Sequence, residues 1–378
     1  MVTLTSSAPT LTGFRRAAAR VLLGVLPLAL LVIVAVGSMR DYFWDFRVFW
    51  HAGNDVLAGR SPYPAPDPAV LAHQSSFVYP PETALAFTPF ALLPYHLAAA
   101  IFLVVLFASV PLTLWLLEVR DWRCYGAAFL MAPVLSGISN GAVSCLLALG
   151  LAAAWRYRDS WKPAAVAVAA VILAKVFLWP LGLWLVATRR WAAAAAALVG
   201  GALVTLASWA VLGFAGLGDY PDLLRILANA EQDQGYSPIA LGLAIGLPSG
   251  LARGLAFGLG ALAVVGIFVM ARRRDGDRLS LTMAIAAALL LSPIVWLHYF
   301  ILLLVPLALS RPRFSPAWVL LPLPFWFSST NGQSHGHGAL IAVALATAAA
   351  ILVASSRKSW RLPRFTPRRP EAAAPAAH

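Results

Sequence analysis

Four ionisable side chains sit where water is scarce, and each points to a particular chemistry. Asp45 lies in Trp44-Asp45-Phe46-Arg47, between two large rings. Partial desolvation raises a carboxylate's pKa, which suits a general base working near neutral pH. An interfacial ion pair with Arg40 or Arg47 is the plainer reading. Glu82 follows Tyr79-Pro80-Pro81 and opens an apolar run, and an acid in a first helical turn is favourable in its own right. Lys175 is the single cation of the apolar run 163–188. A charge there is costly and marks a functional position by default, with phosphate as its natural anion; the competing reading is a lysine snorkelling to headgroups. His298 comes shortly after Ser292-Pro293, where a proline breaks a long apolar run. Its imidazole can orient a hydroxyl or, protonated, pair with phosphate; equally, it can be a satisfied histidine at a helix end. His335 and His337, two apart in a Gly-rich turn, lack the further ligands and supporting shell of a metal site, and Asp219 with Asp222 falls short in the same way. No metal and no cofactor is expected.

The elements that position these residues are hydrocarbon. The 378-residue chain is 61% hydrophobic and 11% charged, with a mean hydropathy of +0.79. A soluble domain carries about 25% charged residues, so this composition cannot cover a water-facing surface. It predicts one polytopic all-α integral membrane domain over residues 1–355. Cys124 and Cys145 both fall in apolar runs, as small core residues do, and no zinc spacing is present. Arg15, Arg16 and Arg20 precede the apolar run 21–37; its length favours an uncleaved first helix over a signal peptide.

Apolar spans are predicted near 21–38, 96–117, 124–136, 141–155, 163–174, 176–188, 191–213, 254–271, 279–292, 298–310, 315–330 and 338–354, about twelve helices in all. With both termini in the cytoplasm, all but six of the 28 Lys and Arg fall in cytoplasmic segments; the exceptions are Arg40, Arg47, Arg60, Lys175, Arg225 and Arg253. The positive-inside rule is then met at every loop. The net charge of +13 serves orientation and lipid headgroups and requires no nucleic acid. The tail 356–378, basic and rich in Pro and Ala, is expected to be disordered in the cytoplasm.

This topology sends the long segment 38–95 to the extracytoplasmic side of the cell membrane. It carries Asp41, Asp45, Asp55, Asp67 and Glu82 among aromatics, Gly and Pro. Several of the spans are short for roughly 30 Å of hydrocarbon, and they end on the same side in Ser136–Gly141, Lys175 and Ser292–His298. Irregular backbone at that depth is tolerated only where protein or water surrounds it, so one cavity opening on the outer face is expected.

Four stretches carry a resemblance. They are Asp45-Phe-Arg-Val-Phe-Trp-His-Ala-Gly with Gly59-Arg-Ser-Pro-Tyr63; Phe77-Val-Tyr-Pro-Pro81 followed by Pro89-Phe-Ala-Leu-Leu-Pro94; Gly137-Ile-Ser-Asn-Gly-Ala-Val-Ser144; and Ser292-Pro-Ile-Val-Trp-Leu-His298. Together they resemble glycosyltransferase family 87, membrane enzymes of the GT-C fold that take their sugar from a polyprenyl phosphate. The resemblance implies that Asp45 is the catalytic base, deprotonating an acceptor hydroxyl that attacks the anomeric carbon with inversion. It implies that Arg47, Tyr63, Tyr79, Glu82, Asn140, Lys175, Trp296 and His298 bind substrate, with Lys175, Arg47 or His298 facing the departing phosphate. The partners it implies are a polyprenyl-phosphate sugar donor, mannose being the family's best-described sugar, a glycolipid or glycan acceptor, and membrane lipids. Asn140 stands where many relatives carry glutamine. The alternative function is a transporter or flippase of lipid-linked sugars, which would show paired broken helices in two halves; the sequence has no such repeat. An acyltransferase using His298 would need its donor on the cytoplasmic side, opposite to that residue.

Overall fold

The computed structural model describes residues 17–37, 43–71, 76–328 and 337–357. Arg40, Asp41, His335 and the tail from residue 358 lie outside them. Among the described residues every regular element is helical. A π-helical turn, Val21–Val25, leads into α1 (Leu26–Gly37); α2 (Trp44–Leu57), α3 (Pro81–Ala91) and α4 (Tyr95–Leu116) follow. Then come α5 (Trp122–Phe129), α6 (Ala132–Ser139), α7 (Ser144–Arg156), α8 (Trp161–Ala174), α9 (Pro180–Ala187) and α10 (Trp191–Val211). The chain continues through α11 (Tyr220–Ala230), α12 (Pro238–Ala244), α13 (Ser249–Ala271), α14 (Gly276–Leu291), α15 (Leu304–Ser310) and α16 (Gly338–Ser356).

Four of these helices, α4, α10, α13 and α16, are long and apolar enough to cross a membrane; the pair α6 and α7, bent by 120° at its break, would make a fifth if counted as one span. Hydropathy alone predicts twelve spans, several of them short for roughly 30 Å of hydrocarbon. The predicted spans 163–174 and 176–188 are parted at Lys175, whose backbone turns extended (φ −151°, ψ 105°); a 3-10 turn, Val176–Leu178, then leads into α9 at Pro180. The predicted spans 279–292 and 298–310 are parted by Pro293, after which residues Leu297–Leu303 run as a 3-10 helix. In the predicted span 315–330 the described residues form two four-residue helices, Ala317–Leu320 and Pro324–Phe327.

Long faces of α10 and α13 bear Leu198, Leu203, Val211, Leu255 and Leu262 more than half exposed. A water-facing surface does not sustain apolar patches of that extent; hydrocarbon does, and the protein is a membrane protein.

Beneath the cavity lies an aromatic core. Phe46, Phe49 and Gly53 recur at helical spacing on one face of α2 and are buried. Phe46 stacks on Phe102 of α4 at 5.0 Å between centroids, and Phe49 stacks on Phe87 of α3 at 4.6 Å. Any Cβ at Gly53 would stand 2.9 Å from the Phe87 carbonyl oxygen, so α2 and α3 touch backbone to backbone. This seam leaves the opposite face of α2, with Trp44, Asp45 and Val48, toward open space.

Candidate active site

That space is a cavity of about 520 Å³. Its ionisable lining groups are Asp45, Tyr79, Lys175, Tyr220, Glu231, His298 and Tyr299, with Asn140 and Trp296 beside them. Six of the nine residues singled out from the sequence therefore meet here: Asp45, Tyr79, Asn140, Lys175, Trp296 and His298.

The turn after α6 fixes Asp45. Asn140 caps that helix and Gly141 follows with φ +67°. The Gly141 amide donates to Ile138 O and the Ala142 amide to Gly137 O, the Schellman pattern that ends helices at a left-handed glycine. The carbonyl of Asn140 then accepts from the Asp45 amide at 2.9 Å, satisfying a first-turn donor that α2 lacks a side-chain cap to cover. A side chain at residue 141 would bring its Cβ to 2.7 Å from that of Phe46. Burial pushes the Asp45 carboxyl above its ordinary range, partly offset by the Lys175 ammonium and a hydrogen bond from Tyr79.

Lys175 sits at the break between α8 and α9 because no helix continues through it. Its ammonium donates to the Tyr299 hydroxyl and lies 4.5 Å from the Tyr79 ring and 4.4 Å from the Tyr299 ring. Phe177 stacks on Tyr299 at 5.0 Å and holds that ring in place. No ion pair within 4 Å links Lys175 to Asp45 or to Glu231 among the described residues. The ammonium is cradled by rings and a hydroxyl, with no carboxylate in contact.

His298 is buried at the start of the 3-10 segment, and neither ring nitrogen has a hydrogen-bond partner among the described residues. Its Cβ would be 3.5 Å from a Cβ on Gly137, so the glycine turn of α6 packs against the histidine segment. That segment is pinned on its other side. The Tyr236 amide donates to Val295 O at 2.6 Å, and a Cβ at Gly235 would be 2.8 Å from the same oxygen.

Glu231 was not among the residues singled out. It follows α11, is only 5% exposed, and lines the cavity. Burial lifts its carboxyl to about 7, with Lys175 pulling it down and Asp45 pushing it further up. Tyr299 and Tyr220, which also line the cavity, carried no signal in the sequence.

Three expected substrate-binding residues lie elsewhere. The Arg47 guanidinium packs over the rings of Trp44 and Tyr95, at 5.8 and 5.7 Å. Glu82, in the first turn of α3, accepts from Thr205 Oγ1 of α10 at 3.2 Å, and burial raises its carboxyl above the usual range. Tyr63 stacks on Trp209 at 5.2 Å and donates to the Tyr79 carbonyl at 3.0 Å. It lines a separate hollow of about 220 Å³ with Ser61, Asp219 and Tyr220. His337 stands at the N-cap of α16, outside both. Among the described residues no three His, Cys, Asp or Glu side chains converge as metal ligands would.

The arrangement offers a carboxylate to take a proton, a cation to meet an anion, and aromatic rings between them. The model of glycosyltransferase family 87 matches residues 77–297. That range includes Tyr79, Asn140, Lys175, Glu231 and Trp296; Asp45 precedes it and His298 is the next residue after it. No curated protein and no solved structure matches the chain.

Proposed function

Because the chain belongs to glycosyltransferase family 87, we propose that it moves a hexose, mannose by family analogy, from a polyprenyl phosphate to a glycolipid or glycan acceptor on the outer face of the cell membrane. The observation that carries this reading is that Asp45 and Lys175 share one cavity without pairing to each other. A carboxylate locked to an ammonium could neither take a proton nor leave the cation available to a phosphate.

In this mechanism Asp45 accepts the proton of the acceptor hydroxyl. The freed oxygen forms the new bond to the anomeric carbon while the bond from that carbon to the phosphate oxygen breaks. The electron pair leaves with polyprenyl phosphate, and the configuration inverts. Lys175 stabilises the charge that grows on the departing oxygen, a contribution made where charge develops in the transition state. The charge balance supports a phosphodiester donor. With two carboxylates and one lysine lining the cavity, a singly charged phosphodiester fits better than a pyrophosphate, which would bring further negative charge. Tyr79 and Trp296 supply rings for the apolar faces of the sugar, and His298 two unpartnered nitrogens for its hydroxyls or the phosphate. The proposal extends to a single GT-C type domain crossing the membrane about twelve times, its shorter helices inset around the cavity. Its termini are cytoplasmic, and Arg47, Glu82 and Tyr63 support the wall.

The test is transfer of label from radiolabelled polyprenyl-phosphate mannose in membranes containing the wild type or Asp45→Asn at equal level. Transfer by the wild type alone supports both the activity and its base. Full activity in Asp45→Asn would remove Asp45 from that role, and a wild type that moves no label would count against this donor.

A further inference from the structure

Resting on the transferase reading, we infer that Glu231 binds hydroxyls of the donor hexose and sets which hexose is accepted. Asp45 comes from α2 and Lys175 from the α8–α9 break, so the base and the phosphate-facing cation arise from the first half of the chain. Glu231 comes from a different element, the end of α11, and closes the cavity together with Tyr220, Leu224 and Leu227 of that helix.

Its position is costly. A carboxylate 5% exposed forgoes hydration, and buried polar groups are ordinarily matched by partners. Glu231 makes no ion pair within 4 Å among the described residues. The protein nevertheless fixes the residue: the Gln234 amide donates to its carbonyl at 3.1 Å, and the following Gly235-Tyr236 docks on Val295 beside His298. Such a group is built for something that arrives later. Its ionised carboxylate repels phosphate, which Lys175 is placed to meet instead. A sugar ring fits, since adjacent hydroxyls donate well to a carboxylate and such charge-assisted hydrogen bonds are the strong kind. Epimeric hexoses differ in where one hydroxyl points, so a carboxylate on one wall discriminates between them. A site built to hydrogen-bond a hydroxyl rejects a substrate that fails to present it.

The experiment compares polyprenyl-phosphate mannose and polyprenyl-phosphate glucose as donors for wild type, Glu231→Gln, Glu231→Ala and Asp45→Asn, each at matched membrane level. Glu231→Ala is expected to raise the donor KM roughly tenfold or more, the size of a lost charged hydrogen bond, and to shrink the preference between the two donors by a similar factor. Glu231→Gln, which keeps an acceptor oxygen, is expected to recover part of both. A purely structural residue would lower activity toward both donors alike. If wild type is active, Asp45→Asn is dead and Glu231→Ala keeps the wild-type KM and donor preference, the role of Glu231 is overturned and the transferase reading stands. If Glu231→Ala loses turnover with an unchanged KM and preference, Glu231 acts on a proton and the specificity role is overturned. If wild type transfers neither hexose, the transferase reading fails and takes this role with it.

Discussion

Two groups of charged residues in this molecule use the same side-chain types in opposite ways. Where α14 begins, Arg190 grips Asp277 with two parallel hydrogen bonds of 2.9 and 2.8 Å and reaches Asp159 at 2.9 Å. Arg158 adds a contact to Asp277 at 3.3 Å and packs over Trp155 at 4.2 Å, while the Trp184 indole donates to the Asp277 carbonyl. Every charge there has a partner in contact. In the cavity, Asp45, Glu231 and Lys175 line one space with no ion pair among them, and His298 has two idle nitrogens. Paired charges staple helices together. Unpaired ones cost folding energy and are kept where a substrate supplies the missing partner.

Breaking the cavity should therefore destroy activity with little effect on folding, and breaking the staple should do the reverse. Asp45→Asn is expected to lose about 10²–10⁴-fold in transfer, the range for a general base. The pH profile sharpens this. A protonated Asp45 cannot accept a proton, so wild-type kcat/KM should rise with pH across an acid limb. Because burial raises the Asp45 carboxyl, that limb should lie above the usual value of about 3.9, and it should vanish from the residual activity of Asp45→Asn. Lys175→Met is expected to cost about 10²-fold in kcat, as for one lost electrostatic contact to a leaving group. Gly141→Ala strains a left-handed residue by about 1–2 kcal/mol and pushes on Phe46, moving the start of α2. Roughly a tenfold fall in transfer is expected from displacing the base, with a lower thermal midpoint in detergent. Arg190→Met, at the staple, should lower stability by about 1–2 kcal/mol, read as a drop in thermal midpoint. Its transfer rate per folded molecule should stay within about twofold of wild type; a collapse in rate at unchanged stability would erase the distinction drawn here.

The sequence alone determined that this is a helical membrane protein, because composition and hydropathy reflect the solvent the chain must meet, and four recognisable stretches carried its family resemblance. It also exposed Lys175 and His298, since a polar group in an apolar run stands out against its neighbours, and Asp45 and Asn140, which stand inside recognisable stretches. Glu231 was invisible for the converse reason: in Asn229-Ala230-Glu231-Gln232-Asp233 it has polar neighbours, and nothing local distinguishes a buried carboxylate from a solvated one. Arg47 and Glu82 show the converse case, standing outside the lining of the cavity. Both are charges near rings, yet one faces Trp44 and Tyr95 and the other faces Thr205 of α10. Which side of a helix faces the cavity, and which distant turn approaches it, depends on packing between elements far apart in the chain. Only the tertiary structure decides that, because contacts such as Asn140 with Asp45 and Gly235 with Val295 have no local signature.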